Sequence, residues 1–131
     1  MLSSSICVCE RDMRRLTTLL DTSLTYRYPR ESARLGEVLA RAAVVGDKER
    51  PEGVVGMGTR VFCEDDGGAP REVSLVYPWD EDRFHGQVSV LSALGVALLG
   101  LRSGESAEWT DEDGFPHMTR VLHVSGLTRD A

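Results

Sequence analysis

Residues 87–109 read QVSVLSALGVALLGLRSGESAEW, and this stretch decides the fold of the C-terminal half of the chain. Its first part predicts a short strand from Val88 to Leu91. Apolar residues at helical spacing then predict an amphipathic helix from Ser92 to Leu99. The hydroxyl of Ser92 can accept a hydrogen bond from a free backbone N–H of the first helical turn, which makes this serine a suitable N-cap. We therefore expect a strand that leads directly into a short capped helix.

A glycine turn and a second strand complete this unit. Gly100 stands where the helix should end, and Ser103-Gly104-Glu105 can turn the chain. The next residues, Ser106 to Thr110, are predicted to form a strand. No catalytic group falls within the unit, which indicates a structural or binding element.

The length and composition are those of an ordinary globular protein. The 131 residues leave room for one compact domain and an appendage, and the hydrophobic fraction is 41%. No run approaches the roughly 20 apolar residues that cross a bilayer. The N-terminus MLSSSICVCERD lacks a basic region followed by an apolar core, so it does not predict a secretion signal. We expect a cytoplasmic protein that does not contact membranes.

The formal net charge of −6 argues against direct recognition of nucleic acid, because affinity for phosphates rests on clustered cations. The densest basic group is modest and consists of Arg11, Arg14, Arg15, Arg27 and Arg30. It is either a solvated helix face or part of a protein contact. Any contact with DNA is therefore expected to be indirect.

The cysteines and histidines show no metal-binding pattern. Cys7 and Cys9 form C-x-C rather than the C-x-x-C of zinc ribbons, and Cys63 stands far from both. The three histidines, His85, His117 and His123, share no helical i, i+4 spacing. We expect reduced cysteines, no metal and no cofactor.

The N-terminal third has the pattern of two helices. The first is predicted from Glu10 to about Asp21 and the second from about Arg30 to Ala43, with apolar residues on one face of each. The connection from Thr22 to Pro29 breaks the helical period. Residues 1–50 are therefore predicted to be an antiparallel helical hairpin and its linker, with arms of about 20 Å at 1.5 Å per residue.

Residues 51–131 are predicted to form a small, mostly antiparallel sheet. Strands are expected at Thr59 to Cys63 and Glu72 to Tyr77, joined by the turn Asp65-Asp66-Gly67-Gly68, and at Met118 to Val124. The linker before them is placed at Gly46 to Gly58 because this stretch is rich in glycine and charge. The sheet and the single short helix give an α+β fold.

Four ordered pieces of this second half resemble one known family. They are Met57-Gly58-Thr59-x-Val61, Leu75-Val76-Tyr77-Pro78, Ser89-x-x-Ser92-x-x-Gly95-x-Ala97-Leu98-Leu99-Gly100 and Gly104-Glu105. Together with the closing strand they cover about seventy residues and resemble the C-terminal domain of the GreA/GreB transcription elongation factor superfamily. The resemblance implies an FKBP-like domain. Within that superfamily, Leu75-Val76-Tyr77-Pro78 and the run from Ala97 to Arg102 are most similar to the Rnk-type regulators of nucleoside diphosphate kinase, which have a truncated N-terminal coiled coil.

The resemblance also implies a function. Gre factors dock at the rim of the secondary channel of bacterial RNA polymerase, and acidic residues at their hairpin tip help to hold a magnesium ion for transcript cleavage. Here the tip carries Tyr26, Arg27 and Tyr28, with no acidic residue between Asp21 and Glu31. We therefore expect a monomeric polymerase-binding regulator that is not an enzyme and that competes with the cleavage factors without stimulating cleavage.

The residues implied in polymerase binding surround the start of the short helix: Ser89, Leu91, Ser92, Ala93 and Gly95. Gre factors often carry an acidic residue and a proline where this chain has Leu91 and Ala93. Two alternatives stay open, because Ser92 can be only a helix cap and Leu91 can be only a core residue.

Two rival functions follow from the same sequence. An FKBP-like domain can be a peptidyl-prolyl isomerase or a binding module unrelated to polymerase, although the few aromatic residues are spread along the chain. The second rival is direct regulation of a nucleotide-metabolising enzyme, but the chain has no phosphate-binding glycine loop to support it.

Trp79 lies in a charged loop, where it is either an exposed anchor for a partner or a ring folded over the sheet edge.

Overall fold

A computed structural model describes residues 6–127 of the chain. Packing divides the chain into two compact units, one up to Pro51 and one from Glu52 onward. The first unit contains β1 (Cys7–Cys9), α1 (Glu10–Leu19), α2 (Leu24–Arg27), α3 (Pro29–Arg41) and β2 (Ala43–Val45). The second contains β3 (Thr59–Glu64), β4 (Pro70–Val76), β5 (Gln87–Ser89), α4 (Ala93–Leu98), β6 (Ser106–Thr110) and β7 (Pro116–Leu127). The α+β class expected from the sequence is confirmed.

The two helices of the first unit lie where the apolar periodicity predicts them. Leu16 and Leu19 of α1 and Leu35 and Leu39 of α3 are buried, which follows from their i, i+3 and i, i+4 spacing on one face of each helix. Pro29 is the first residue of α3, a position that tolerates its missing N–H. The antiparallel arrangement of the pair stays a prediction.

Two features of this unit were not expected. The connection between the long helices contains the helical turn α2 instead of an irregular loop. Strands β1 and β2, at the two ends of the helical segment, pair in parallel with Cys7 opposite Ala43 and Cys9 opposite Val45. Three residues are too few for a period of two to be recognised in a sequence, which is why both strands were missed.

A mixed five-stranded sheet in the order β5-β4-β3-β7-β6 forms the frame of the second unit. Its pairs are antiparallel except for β4 and β5, so the expectation of a mostly antiparallel sheet is confirmed. The predicted strand from Val88 to Leu91 is wrong at its end, because β5 stops at Ser89 and the chain turns before α4. The Asp65–Gly68 turn is as predicted, with positive φ at both of its glycines.

One face of this sheet and helix α4 form the core of the second unit. Val61 and Cys63 of β3, Leu75 of β4 and Val121 of β7 are almost fully buried, together with Leu98 of α4. The alternate residues of the central strands, such as Phe62 and Leu122, lie on the other face. The sheet is therefore buried on one side and more exposed on the other.

The predicted linker from Gly46 to Gly58 is wrong in its second half. Val54, Val55 and Met57 are buried in the core of the second unit. The N–H of Val55 donates to the Leu101 carbonyl oxygen at 2.8 Å, and the Gly100 N–H donates to the Val55 carbonyl at 2.9 Å. Glycines at 53, 56 and 58 concealed this short apolar segment from a prediction based on composition.

Within residues 6–127, no helix is long and apolar enough to cross a membrane.

Candidate functional site

The start of α4 is fixed by a compact hydrogen-bond network of two serines. The Ser92 hydroxyl accepts from the Gly95 N–H at 3.0 Å, as an N-cap should, and donates to the Ser89 carbonyl oxygen at 2.7 Å. The Ser89 hydroxyl accepts from the Leu91 N–H at 3.0 Å. The predicted cap is confirmed, and the two serines together hold the turn between β5 and α4.

Gly95 allows β5 and α4 to approach each other closely. A Cβ atom at this position would overlap the Ser89 carbonyl oxygen and would lie 2.8 Å from the Ser89 carbonyl carbon and 3.0 Å from the Val90 Cα. These are backbone atoms that cannot move aside without distorting the turn. Glycine is therefore required here for space.

The five residues implied in polymerase binding differ in exposure. Ser89, Leu91 and Gly95 are buried, and Leu91 is only 1% exposed, so its side chain belongs to the core. Ser92 and Ala93 are half-buried at the first turn of α4. Only these last two can offer side-chain atoms to a partner at this place, and their role in binding stays a prediction.

The tip between the long helices of the first unit forms the helical turn α2 and carries no carboxylate. Tyr26 is 87% exposed, and the Arg27 guanidinium lies 5.7 Å from the centroid of the Tyr28 ring. The Tyr28 N–H donates to the Leu24 carbonyl at 3.0 Å, which closes the α2 turn. This surface is therefore aromatic and cationic, and Asp21 and Glu31 flank it.

A second polar cluster lies at the far end of the sheet, where the β3–β4 and β6–β7 turns come together. His117 Nε2 is 2.7 Å from Asp111 Oδ2, and His117 Nδ1 is 3.2 Å from Asp66 Oδ2. The imidazole also stacks on the Trp109 ring with centroids 4.6 Å apart. Trp109 in turn donates its indole N–H to Thr119 Oγ1 at 2.9 Å. One histidine thus joins two acidic turns that lie far apart in the sequence.

The carboxylates around His117 raise its pKa. The hydrogen bond to Asp111 is the largest cause, partial desolvation opposes it, and Asp66 adds to the upward shift. In return the pKa of Asp111 is lowered, first by its bond to His117 and then by the Phe115 N–H, which donates to Asp111 Oδ1 at 3.0 Å. Both pKa shifts favour a protonated, positively charged His117 ring between the Asp111 and Asp66 carboxylates.

The loop between β4 and β5 carries two exposed aromatic side chains. Trp79 is 69% exposed and stacks on Tyr77 with centroids 5.3 Å apart, so its ring is supported on one side and open on the other. Phe84 in the same loop is almost wholly exposed. Asp82 accepts from His85 Nδ1 at 2.7 Å, which lowers the Asp82 pKa. The loop can serve as a protein contact.

Two surface depressions on the second unit are open and contain little aromatic surface. One, of about 380 Å³, includes Phe62 and Leu122, and the other, of about 360 Å³, includes Phe84 and Arg60. Each is lined by a single phenylalanine and by no tyrosine or tryptophan, whereas binding of a prolyl peptide needs several large rings around one concave pocket. These depressions do not support the isomerase alternative.

Potential metal ligands within residues 6–127 are not gathered into a larger cluster. These residues contain no group of three or more His, Cys, Asp or Glu side chains arranged to hold a metal ion. All three cysteines are free thiols, and burial raises the pKa of Cys63 to about 11. Cys9 has a raised pKa for the same main reason.

Comparison with known proteins identifies the family. The profile described as transcription elongation factor, GreA/GreB, C-terminal, matches residues 50–126. The chain is also 34% identical over 121 residues to the regulator of nucleoside diphosphate kinase of Escherichia coli strain K12, an alignment that covers 92% of this chain and 88% of that protein. This chain belongs to the GreA/GreB family. The resemblance stated from sequence motifs is confirmed.

One solved structure of a GreA/GreB factor agrees with this assignment, and a second, more distant structure shares the fold. The GreA/GreB elongation factor from Nitrosomonas europaea superposes with a TM-score of 0.77 at 32% identity, over 94% of this chain and 99% of that chain. The GreA factor homolog Gfh1 of Thermus thermophilus superposes with a TM-score of 0.51 at 20% identity, over 94% of this chain and 100% of that one. The similarity to Gfh1 shows only that the two chains share a fold.

The GreA/GreB motifs gave no indication of the His117 cluster. One signal was present in the sequence. Strand β6 and the final strand flank the turn at Asp111, and the simplest hairpin register places Trp109 opposite His117. The contact from Asp66 could not be found in this way. It depends on the tertiary approach of a turn 51 residues earlier in the chain.

Proposed function

We propose that this GreA/GreB-family chain binds RNA polymerase at its secondary channel and competes there with cleavage-stimulating Gre factors, without stimulating cleavage itself. The proposal includes a non-enzymatic role for the chain, with polymerase as the partner and DNA contacted only through it. Family membership over residues 50–126 supports the class of partner.

The observation that carries the non-cleaving part is the chemistry of the tip. Support of a catalytic magnesium ion needs carboxylate oxygens, and residues 22–30 contain none. Arg27 and Tyr26 are instead exposed at this place. A guanidinium has donors and no acceptor, so it cannot replace a carboxylate as a ligand of Mg²⁺.

The proposed docking surface is the first turn of α4, at Ser92 and Ala93. Both side chains are partly exposed, and the buried network of Ser89 and Gly95 beneath them makes this turn rigid. A rigid surface loses little conformational entropy when it binds, which favours affinity.

The first experiment measures binding of the full chain to core RNA polymerase, with a cleavage-competent Gre factor as competitor. We expect saturable binding that the Gre factor displaces, and no shortening of the transcript in a stalled elongation complex. A chain that fails to bind at micromolar concentration would overturn the proposal. Transcript cleavage above the polymerase-only rate would overturn its non-cleaving part.

The docking surface is tested by Ala93→Arg, with Ala69→Arg as the matched control. Ala93 lies at the first position of α4, while the exposed Ala69 lies in the turn at the other end of the sheet. We expect Ala93→Arg to weaken polymerase binding at least tenfold and Ala69→Arg to leave it unchanged, with similar urea midpoints for both. Equal binding by the two variants would place the contact elsewhere.

A further inference from the structure

His117 is the only side chain in the described residues that joins the β3–β4 turn to the β6–β7 turn through both ring nitrogens. Its Nε2 faces Asp111 and its Nδ1 faces Asp66, at the distances given above. Both acceptors are carboxylate oxygens, so each of these two contacts needs an N–H on the ring side. The geometry therefore requires two donors from one imidazole.

Only the protonated ring can satisfy this requirement. An imidazolium has two N–H donors, whereas a neutral imidazole has one donor and one lone pair. If the ring loses a proton, one carboxylate faces a lone pair and is repelled. The contact to Asp66 is the one expected to break, since it is longer and since Asp111 is held further by the N–H groups of Asp113 and Phe115.

The surroundings of the ring are negative. Asp111, Glu112 and Asp113 belong to the β6–β7 turn, and Asp65 and Asp66 belong to the β3–β4 turn. Two arginines pair with carboxylates of these turns, Arg71 with Asp65 at 3.2 Å and Arg83 with Glu112 at 3.9 Å. On the remaining side the ring is covered by Trp109 rather than by a charge. These charged groups favour the protonated ring.

We infer that His117 is a proton-operated latch that ties the two turns together when protonated and releases the Asp66 side when neutral. The release is local, because Asp66 Oδ1 still accepts from the Met118 N–H at 2.9 Å and Asp65 still accepts from Thr119. The residues next to the released carboxylate are Gly67 and Gly68, which follow Asp66 in the same turn, so their amide groups are placed to report the change.

The latch is independent of polymerase binding and can be tested on the free chain. A sample with ¹³C-labelled histidine and ¹⁵N-labelled backbone is titrated from pH 5 to pH 9 by NMR, and His117→Gln assigns the His117 signal. We expect His117 to titrate above the ordinary value of 6.5. The amide signals of Gly67 and Gly68 should shift with the same midpoint.

Two variants separate the latch from a histidine that merely titrates. Asp66→Asn should lower the His117 midpoint only in part, since Asp111 is the main cause of the upward shift, while the Gly67 and Gly68 amides no longer follow the titration. Asp111→Asn should move the His117 midpoint down. A wild-type midpoint at or below 6.5, or glycine amides that do not follow His117, would overturn the inference.

Trp109 provides an optical check on the same chain. In a Trp79→Phe background it is the only tryptophan, and a stacked imidazolium quenches indole emission more strongly than a neutral ring. We expect emission to rise with pH at the His117 midpoint, and the rise to vanish with His117→Gln. An unchanged rise in that variant would show that another group reports the titration.

Discussion

Gly95 is the residue whose replacement has the clearest expected cost. Alanine would place a methyl group against the backbone of Ser89 and Val90, where nothing flexible can give way. Overpacking of this kind costs about 1 to 3 kcal/mol and more when the backbone must move. We expect Gly95→Ala to lower the free energy of unfolding by about 3 kcal/mol, measured by urea denaturation followed by tryptophan fluorescence.

Gly126→Ala is the matched control. Gly126 lies in the same unit, and an added Cβ there meets no atom within 4 Å. Both tryptophans of the chain lie in the second unit, so the emission reports its unfolding for both variants. Equal midpoints for Gly95→Ala and Gly126→Ala would contradict the steric argument.

Single residues with a local role were predictable from the sequence. The Ser92 cap and the turn at Gly67 and Gly68 depend on neighbours within three residues, and the structure has both. The burial of Leu91 was not predictable in the same way. It follows from how the turn after β5 folds over the core, which no local pattern encodes.

At the level of elements, the two sides of the sheet should respond differently to the same substitution. Leu98 of α4 is fully buried on the core side, whereas Leu122 of β7 is 46% exposed on the other side. We expect Leu98→Ala to cost about 2 to 5 kcal/mol and Leu122→Ala less than about 1 kcal/mol. Urea midpoints and m-values of both variants check this, and a similar loss in both would mean that the outer face is packed.

The elements that the sequence predicted well are those with a long or punctuated pattern. Strand β6 was predicted at its observed bounds because the glycine turn Ser103-Gly104-Glu105 precedes it. The parallel pair of β1 and β2 escaped prediction because neither strand is stable alone and each depends on the other across 36 residues. The His117 cluster was missed for a similar reason, because it forms only when the β3–β4 turn and the β6–β7 turn come together in the folded chain.

For the whole molecule, the buried Cys63 thiol predicts how stability changes at alkaline pH. Its pKa in the folded chain is about 11, against 9.0 for an unperturbed thiol. Between these values the native state holds a proton that the unfolded chain releases, so unfolding becomes more favourable as pH rises. We expect the free energy of unfolding to fall from pH 9 to pH 11 and this part of the fall to be absent in Cys63→Ala.

The comparison uses the slope of the unfolding free energy with pH and not its absolute value, because Cys63→Ala also leaves a small cavity. Urea melts at pH 8, 9, 10 and 11 give that slope for both chains. If wild type and Cys63→Ala fall in parallel, the thiol is not the group that titrates.

The pairing of β1 with β2 has a consequence for how chains of this kind can diversify. The three-residue parallel ladder holds the two ends of residues 10–42 close together, one at each end of the ladder. Any outgoing extension of this segment must therefore be matched by an equal returning one. Paired insertions of whole helical turns in α1 and α3 would lengthen the excursion while leaving its base unchanged. Reach is thus a property that natural selection can vary in increments of about 5.4 Å, without redesigning either unit.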